Sequence, residues 1–124
     1  MILDGKFDGK AVYQNIKIFL NQNRYKFDAV FTGDDDAAIG AMAVFAEVSL
    51  RIPEDVAVVG FDDLRLSPFL APSLSTVRAP TDEVGRTAAY LLFNLIKEQP
   101  AESVMLLRTE VIIRHSCGCL QAVM

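Results

Sequence analysis

Carboxylate side chains follow two predicted strands of this 124-residue chain, and a further carboxylate stands beside an aromatic residue near its start. Three aspartates occupy residues 34–36, Asp62 and Asp63 form a pair, and Phe7 precedes Asp8. An ionised carboxylate accepts strong, charge-assisted hydrogen bonds from neighbouring hydroxyl groups. An aromatic ring covers the apolar C–H face of a sugar or the plane of a base. These residue types therefore suit a site for a polyol or a nucleobase.

Three other interpretations of the same residues stay open. An aspartate at the start of a helix is commonly a cap that the helix dipole favours, although three in succession exceed what one cap requires. Carboxylates at two strand ends could hold Mg²⁺ in a receiver or a phosphoryl-transfer enzyme. Such a site usually adds a positioned lysine or hydroxyl nucleophile, and Thr32 is the nearest hydroxyl group. Phe7 also fits ordinary core packing.

The spacing of apolar residues predicts alternating helices and strands. Helices are predicted over residues 8–23, from residue 34 or 35 to residue 50, and over residues 80–97, and strands over residues 28–32, 56–61, 75–77, 104–107 and 110–113. Ile2 and Leu3 resemble the end of a further strand. This order indicates an α/β fold with a mostly parallel sheet, in which ligands collect outside the carboxyl ends of the strands. Each group of acidic residues is expected at that rim.

The composition narrows the class of protein. Hydrophobic residues make up 52% of the chain and its net charge is −4, so we expect a folded domain that does not bind nucleic acid by itself. The chain has no apolar run of membrane-spanning length, and its first residues lack the pattern of a signal peptide. Two cysteines do not make a disulfide framework, which favours a reducing compartment and a cytoplasmic location without membrane contact.

The sequence offers little for catalysis or for a metal. His115, Cys117 and Cys119 are soft ligands, but they lack the paired spacing of a structural metal site and have no visible fourth ligand. They fit a solvated tail with reduced thiols. His115 is the single histidine, so no serine or cysteine nucleophile has a visible general base. We expect that the protein is not an enzyme, has no catalytic residue and binds no metal or cofactor.

Three motifs resemble the LacI/GalR family of transcriptional regulators, and together they cover nearly the whole chain. They are the acidic run and Ala-Ile-Gly-Ala helix of residues 34–42, the Arg-Ile-Pro-Glu-Asp-Val-Ala-Val-Val-Gly-Phe-Asp-Asp stretch of residues 51–63, and residues 72–78 followed by Gly85-Arg86-x-Ala88. The resemblance implies a type I periplasmic-binding-protein-like fold in three layers, with a ligand cleft between two α/β lobes. It implies a partial effector-binding domain over residues 1–124. Residues 1–77 would be the C-terminal lobe, and residues 78–124 the crossover helix and return strands.

The resemblance implies a non-catalytic sensor of a small polar effector, and we expect this effector to be a carbohydrate. Phe7, Asp8 and Asp35 are the implied ligand-binding residues. Asp62 and Asp63 fall in a turn motif whose implied role is structural rather than ligand-contacting. Asp34 stands where many members carry asparagine, and Ala79 stands where many carry a glutamine that contacts the ligand. DNA binding would need an N-terminal domain that this chain lacks, so we expect the chain alone to bind neither DNA nor effector with useful affinity. The effector, the operator and the sign of regulation stay open.

Two alternatives to a DNA-binding regulator follow from the same resemblance. The ending, residues 114–119, is similar to the close of LacI-like sensor domains in multidomain signalling proteins. A sugar-binding protein of the same fold is the other alternative.

The second predicted helix is apolar on nearly every side, which indicates burial against more than its own sheet. We expect a homodimer contact there through Met42, Val44, Phe45 and Val48, as the family resemblance also implies. Burial under neighbouring elements of a larger domain is the alternative.

Overall fold

The computed structural model describes residues 2–3, 8–22 and 27–119. The chain divides into two compact units. The first unit comprises Met1–Arg78 and Val111–Met124, and the second comprises Ala79–Glu110. The predicted division between residues 1–77 and 78–124 stays a prediction, and the described residues 111–119 fall within the first unit.

The first unit is built on a sheet of four strands, and the α/β class with a mostly parallel sheet is confirmed. The strands lie in the order β1 (Ala29–Phe31), β2 (Ala57–Phe61), β3 (Ser75–Arg78) and β4 (Glu110–Ile112). β1, β2 and β3 run parallel, with Phe31 beside Val59 and Phe61 beside Val77. The carboxyl ends of these three strands therefore meet at one edge.

Two helices cover the central strand in successive layers. Helix α2 (Asp35–Glu47) packs on β2, and helix α1 (Gly9–Gln22) packs on α2. Gly9 and Gly40 let the backbones of the two helices approach closely, because a Cβ atom on Gly40 would lie 2.9 Å from the carbonyl carbon of Gly9. The apolar side chains buried between these layers form the core: Val12, Ile16, Ala37, Ala38, Ala41, Met42, Val44, Phe45, Val56, Val58 and Leu74.

The end of the chain closes the gap between β2 and β3. Ser116 is fully buried there. Its hydroxyl group donates to the carbonyl of Val58 at 2.6 Å and accepts from the amide of Ser75 at 2.8 Å. Its carbonyl accepts from the amide of Val58 at 2.8 Å. Ser116 therefore satisfies backbone groups of both strands before their own ladder begins.

The second unit consists of helix α3 (Thr81–Ile96) and the segment after it. Many of its apolar side chains are exposed: Val84, Tyr90, Leu92, Phe93, Leu95, Ile96, Val104 and Leu106. The strand predicted over residues 104–107 is wrong, since these residues form no strand. A short apolar run such as this one forms a strand only where a neighbouring strand accepts its hydrogen bonds.

Candidate functional site

Asp35 lies inside the protein at the first turn of α2, with no exposed surface. Its Oδ2 atom accepts hydrogen bonds from the amide of Leu64 at 2.9 Å and from the hydroxyl group of Ser67 at 2.5 Å. Its Oδ1 atom accepts one from the hydroxyl group of Thr76 at 2.6 Å. A buried carboxylate needs such donors to offset its lost hydration. Asp35 thus ties the loop after β2 to the third strand.

Asp63 lies in the same loop and forms ion pairs with two arginines. Its two carboxylate oxygens bind Arg114 at 2.6 Å and Arg78 at 2.7 Å. Burial opposes ionisation of Asp63, but the hydrogen bonds and charges of the two arginines outweigh it and lower the pKa of this carboxyl. Arg114 also donates to the carbonyl of Leu74 at 2.7 Å. The structural role expected of the turn motif therefore fits Asp63.

Asp62 has different surroundings, although it is the next residue along the chain. It is exposed, and its φ of 104° lies in the left-handed region that few residues other than glycine adopt. Desolvation raises the pKa of Asp62, and the charges of Asp35, Asp34 and Asp36 raise it further. A strained backbone and nearby like charges lower the stability of a protein, and such features cluster at functional sites.

The rim cluster, defined as Asp34, Asp36 and Asp62, joins the carboxyl ends of β1 and β2. Asp34 caps α2 through a hydrogen bond from the amide of Ala37 to its Oδ1 atom at 2.6 Å. Asp36 is exposed on the first turn of the same helix. From sequence, Asp62 and Asp63 received the same structural role, and no local signal separates the two.

An open groove of about 490 Å³ lies between α1 and α2 near this edge. Asp8 and Asp36 line it from opposite helices, together with Lys10 and Tyr13. Asp8 is exposed and caps α1, since its Oδ1 atom accepts from the amide of Lys10 at 3.0 Å. Phe7, predicted to contact a ligand, lies outside the described residues. The structure thus brings Asp8 near Asp36 and places Asp35 in the interior.

Three of the four residues predicted to form a dimer contact are buried within the chain. Val44 and Phe45 have no exposed surface, and Met42 is 8% exposed, because α1 and β2 cover them. The dimer contact stays a prediction. Val48, at the end of the helix, is 43% exposed. The alternative, burial under neighbouring elements, accounts for the apolar character of this helix.

The remaining candidate residues lie at the end of the chain, away from the rim cluster in sequence. His115 Nδ1 shares a hydrogen bond of 2.8 Å with the hydroxyl group of Ser73. Cys117 and Cys119 have free thiols. Over residues 2–3, 8–22 and 27–119, no three His, Cys, Asp or Glu side chains are grouped so as to hold a metal ion. In the same part of the chain, no helix is long and apolar enough to cross a membrane.

A parallel sheet with an acidic rim at its carboxyl edge is typical of α/β domains that bind a ligand at that edge. The chain matches the family model of the periplasmic binding protein-like domain over residues 4–117 and belongs to that family. Its identification with the C-terminal part of this domain in LacI/GalR-type regulators is confirmed.

Named relatives agree with this assignment. The HTH-type transcriptional regulator MalR of Clostridium butyricum is 32% identical over 117 residues, which are 94% of this chain and 35% of that protein. The chain spans about a third of the length of the curated relatives it matches.

Two solved structures with bound sugars are similar in fold. A complex of the transcriptional regulator CelR with cellobiose has a TM-score of 0.82 at 32% identity, covering 94% of this chain and 37% of that one. A LacI-family regulator from Arthrobacter sp. FB24 in complex with lactose has a TM-score of 0.76 at 29% identity, covering 90% and 42%.

Proposed function

We propose that this chain forms one wall of an effector site in a transcriptional regulator, and that the effector is a carbohydrate. The observation that carries the proposal is the rim cluster, in which Asp34, Asp36 and Asp62 follow the carboxyl ends of the neighbouring strands β1 and β2. Hydroxyl groups of a sugar donate hydrogen bonds to such carboxylates and lower the cost of holding them together. The domain does no chemistry on the effector.

In this proposal Asp62 makes the principal polar contact with the effector. Its carboxylate is exposed, so its oxygens can accept hydrogen bonds from a ligand. Asp35, assigned to the ligand from sequence, already accepts three hydrogen bonds from the chain itself. Its role in the proposal is to position the loop that carries Asp62. Phe7 and Asp8 remain predicted contacts at the same edge.

The carbohydrate class draws support from relatives. The regulators with cellobiose and with lactose carry sugars in the structures named above. The relatives named as HTH-type regulators support DNA as a partner of the whole protein. We also propose that the protein acts in the cytoplasm and forms a homodimer. Any contact between the subunits would lie outside the buried side of α2.

The test is a calorimetric titration of the parent regulator, meaning the polypeptide that carries this chain in its gene. Cellobiose, lactose, a panel of monosaccharides and the purine bases are titrated in turn. We expect one sugar to bind, and Asp62→Asn to weaken it about tenfold to a hundredfold, the scale of a lost charged hydrogen bond. Asp34→Asn keeps an acceptor for the helix cap and should weaken binding too.

Asp55→Asn is the matched control, because Asp55 is an exposed aspartate paired with Arg51 before β2. It should leave the affinity unchanged. Unchanged affinity in both Asp62→Asn and Asp34→Asn would overturn the rim assignment, and binding of a purine but of no sugar would overturn the carbohydrate class. The chain alone should bind more than tenfold more weakly than the parent, since a cleft buries a ligand between two walls.

A further inference from the structure

The two cysteines of the chain lie in one exposed turn that the effector site does not use. Cys117 is half-buried, Cys119 is exposed, and Gly118 stands between them. The sequence contains no other cysteine. The turn lies directly after Ser116, which is fixed by its hydrogen bonds to β2 and β3.

The backbone of residues 117–119 folds into a turn in which Cys117 and Cys119 contact each other. Gly118 has a φ of 74°, in the left-handed region, and its amide donates to the carbonyl of His115 at 3.3 Å. The amide of Cys119 donates to the sulfur of Cys117 at 3.3 Å. The thiol of Cys119 donates to the carbonyl of Cys117 at 3.9 Å. Residues two positions apart span at most about 7 Å, and a turn brings them into the range of roughly 4.4–6.8 Å that a disulfide requires.

The two sulfurs differ in acidity, which assigns each a role in thiol chemistry. Burial opposes ionisation of Cys117, but hydrogen bonds from the Cys119 thiol, the Ser75 hydroxyl and the Cys119 amide outweigh it and lower the pKa of Cys117. The hydrogen bond with Cys117 raises the pKa of Cys119. Because the thiolate is the nucleophile, Cys117 is the attacking sulfur and Cys119 the resolving one.

We propose that Cys117 and Cys119 form a reversible dithiol–disulfide pair that reacts with low-molecular-weight disulfides. The Cys117 thiolate attacks one sulfur of the small disulfide, and the other sulfur leaves as a thiolate. Cys119 then loses its proton to solvent and attacks the Cys117 sulfur, which releases the second small thiolate. The protein loses two protons and two electrons, and the small disulfide becomes two thiols. Exposure of the pair makes the bond accessible to reduction by the same route.

The experiment incubates the chain with oxidised glutathione and follows the intact mass and the number of alkylatable thiols. The wild type should lose the mass of two hydrogen atoms and both free thiols without dimerising, and should regain them in reduced glutathione. Cys119→Ser keeps a donor beside Cys117 but removes the resolving sulfur, so it should stop at a mixed disulfide carrying one glutathione. Cys117→Ser should react at least several-fold more slowly than Cys119→Ser at neutral pH.

Two results would overturn the proposal. One is a wild type that stops at the mixed disulfide or forms only cross-linked dimers, since the turn would then not allow the ring to close. The other is equal reaction rates of Cys117→Ser and Cys119→Ser across the pH range, since the acidity of Cys117 would then have no effect. Circular dichroism checks that both variants are folded. We expect substitutions in this turn to disturb the fold little.

Discussion

The hydrogen atom that serves as the side chain of Gly60 leaves room for the carboxylate of Asp35. A Cβ atom at Gly60 would lie 3.1 Å from Cγ of Asp35 and closer still to its Oδ1 atom, and 3.2 Å from Cδ2 of Leu74. Gly60 is the fourth residue of β2, and Asp35 is the first residue of α2. Burial of Asp35, one of the three successive aspartates, therefore depends on Gly60 in a neighbouring strand.

Gly60→Ala tests this dependence. The added methyl group must displace a carboxylate that three donors hold, so we expect a loss of about 2–3 kcal/mol in the free energy of unfolding, as for an overpacked core. Urea unfolding of the chain measures it. Gly85→Ala on α3 is the matched control, since nothing lies within 4 Å of its Cβ position. That change should stabilise its helix by roughly 0.5–1 kcal/mol, and equal effects at the two glycines would contradict the packing at Gly60.

Asp35 itself should be a stability residue. Asp35→Ala leaves the Leu64 amide and the hydroxyl groups of Ser67 and Thr76 without their acceptor, at an expected cost of about 3 kcal/mol or more. Asp35→Asn retains one acceptor oxygen and should cost roughly half as much. Asp36→Ala, on the exposed side of the same turn, should change unfolding by less than about 1 kcal/mol. A cost at Asp35 no larger than at Asp36 would return Asp35 to the candidates for direct ligand contact.

Local sequence patterns predicted most of the elements, because helix and strand periodicity are local properties. Helices α1 and α2 and strands β1, β2 and β3 fall within a few residues of their predicted ranges. The roles of the three successive aspartates could not be separated in the same way. Which of them is buried depends on how α2 is rotated against β2 and on Gly60 across the interface, and both are tertiary properties.

The apolar pattern of α2 had the same limit. Periodicity indicated that the helix is covered on several sides, but no local signal identified α1 as the covering element. The Gly9–Gly40 approach that permits this layer joins residues far apart in the chain. Asp62 and Asp63 likewise look identical in sequence, and only the positions of Arg78 and Arg114 distinguish the paired residue from the exposed one.

Substitutions on α2 separate core packing from a subunit contact. Phe45→Ala removes a fully buried ring and should cost about 3–5 kcal/mol, and Val44→Ala about 2 kcal/mol, independently of protein concentration. Val48→Ala is the control for an exposed position of the same helix and should fall within about 0.5 kcal/mol of the wild type. Stability losses at Val44 or Phe45 that grow as the protein is diluted would instead indicate that a second copy covers them.

Asp62→Asn should stabilise the chain at neutral pH and have little effect in acid. Because the folded state raises the pKa of Asp62, ionisation of this group favours the unfolded state once the pH exceeds the ordinary value of 3.8. Below that value both states bind the proton, so the penalty disappears. Asparagine removes the charge and tolerates the left-handed backbone of this position. The gain should be at most about 1 kcal/mol, since solvent screens an exposed group.

The measurement for Asp62→Asn is urea unfolding of both proteins from pH 3 to pH 7 in low salt, where charge repulsion is least screened. The stability difference should increase with pH above about 4 and then level off. Asp55→Asn is the opposing control, since its bonds with Arg51 lower the pKa of Asp55 to about 2. Loss of that carboxylate should destabilise the chain above the ordinary pKa and matter less as the pH falls toward 2. A stability difference at Asp62 of the same sign as at Asp55 would show that Asp62 is a structural carboxylate, and the rim cluster would lose its central member.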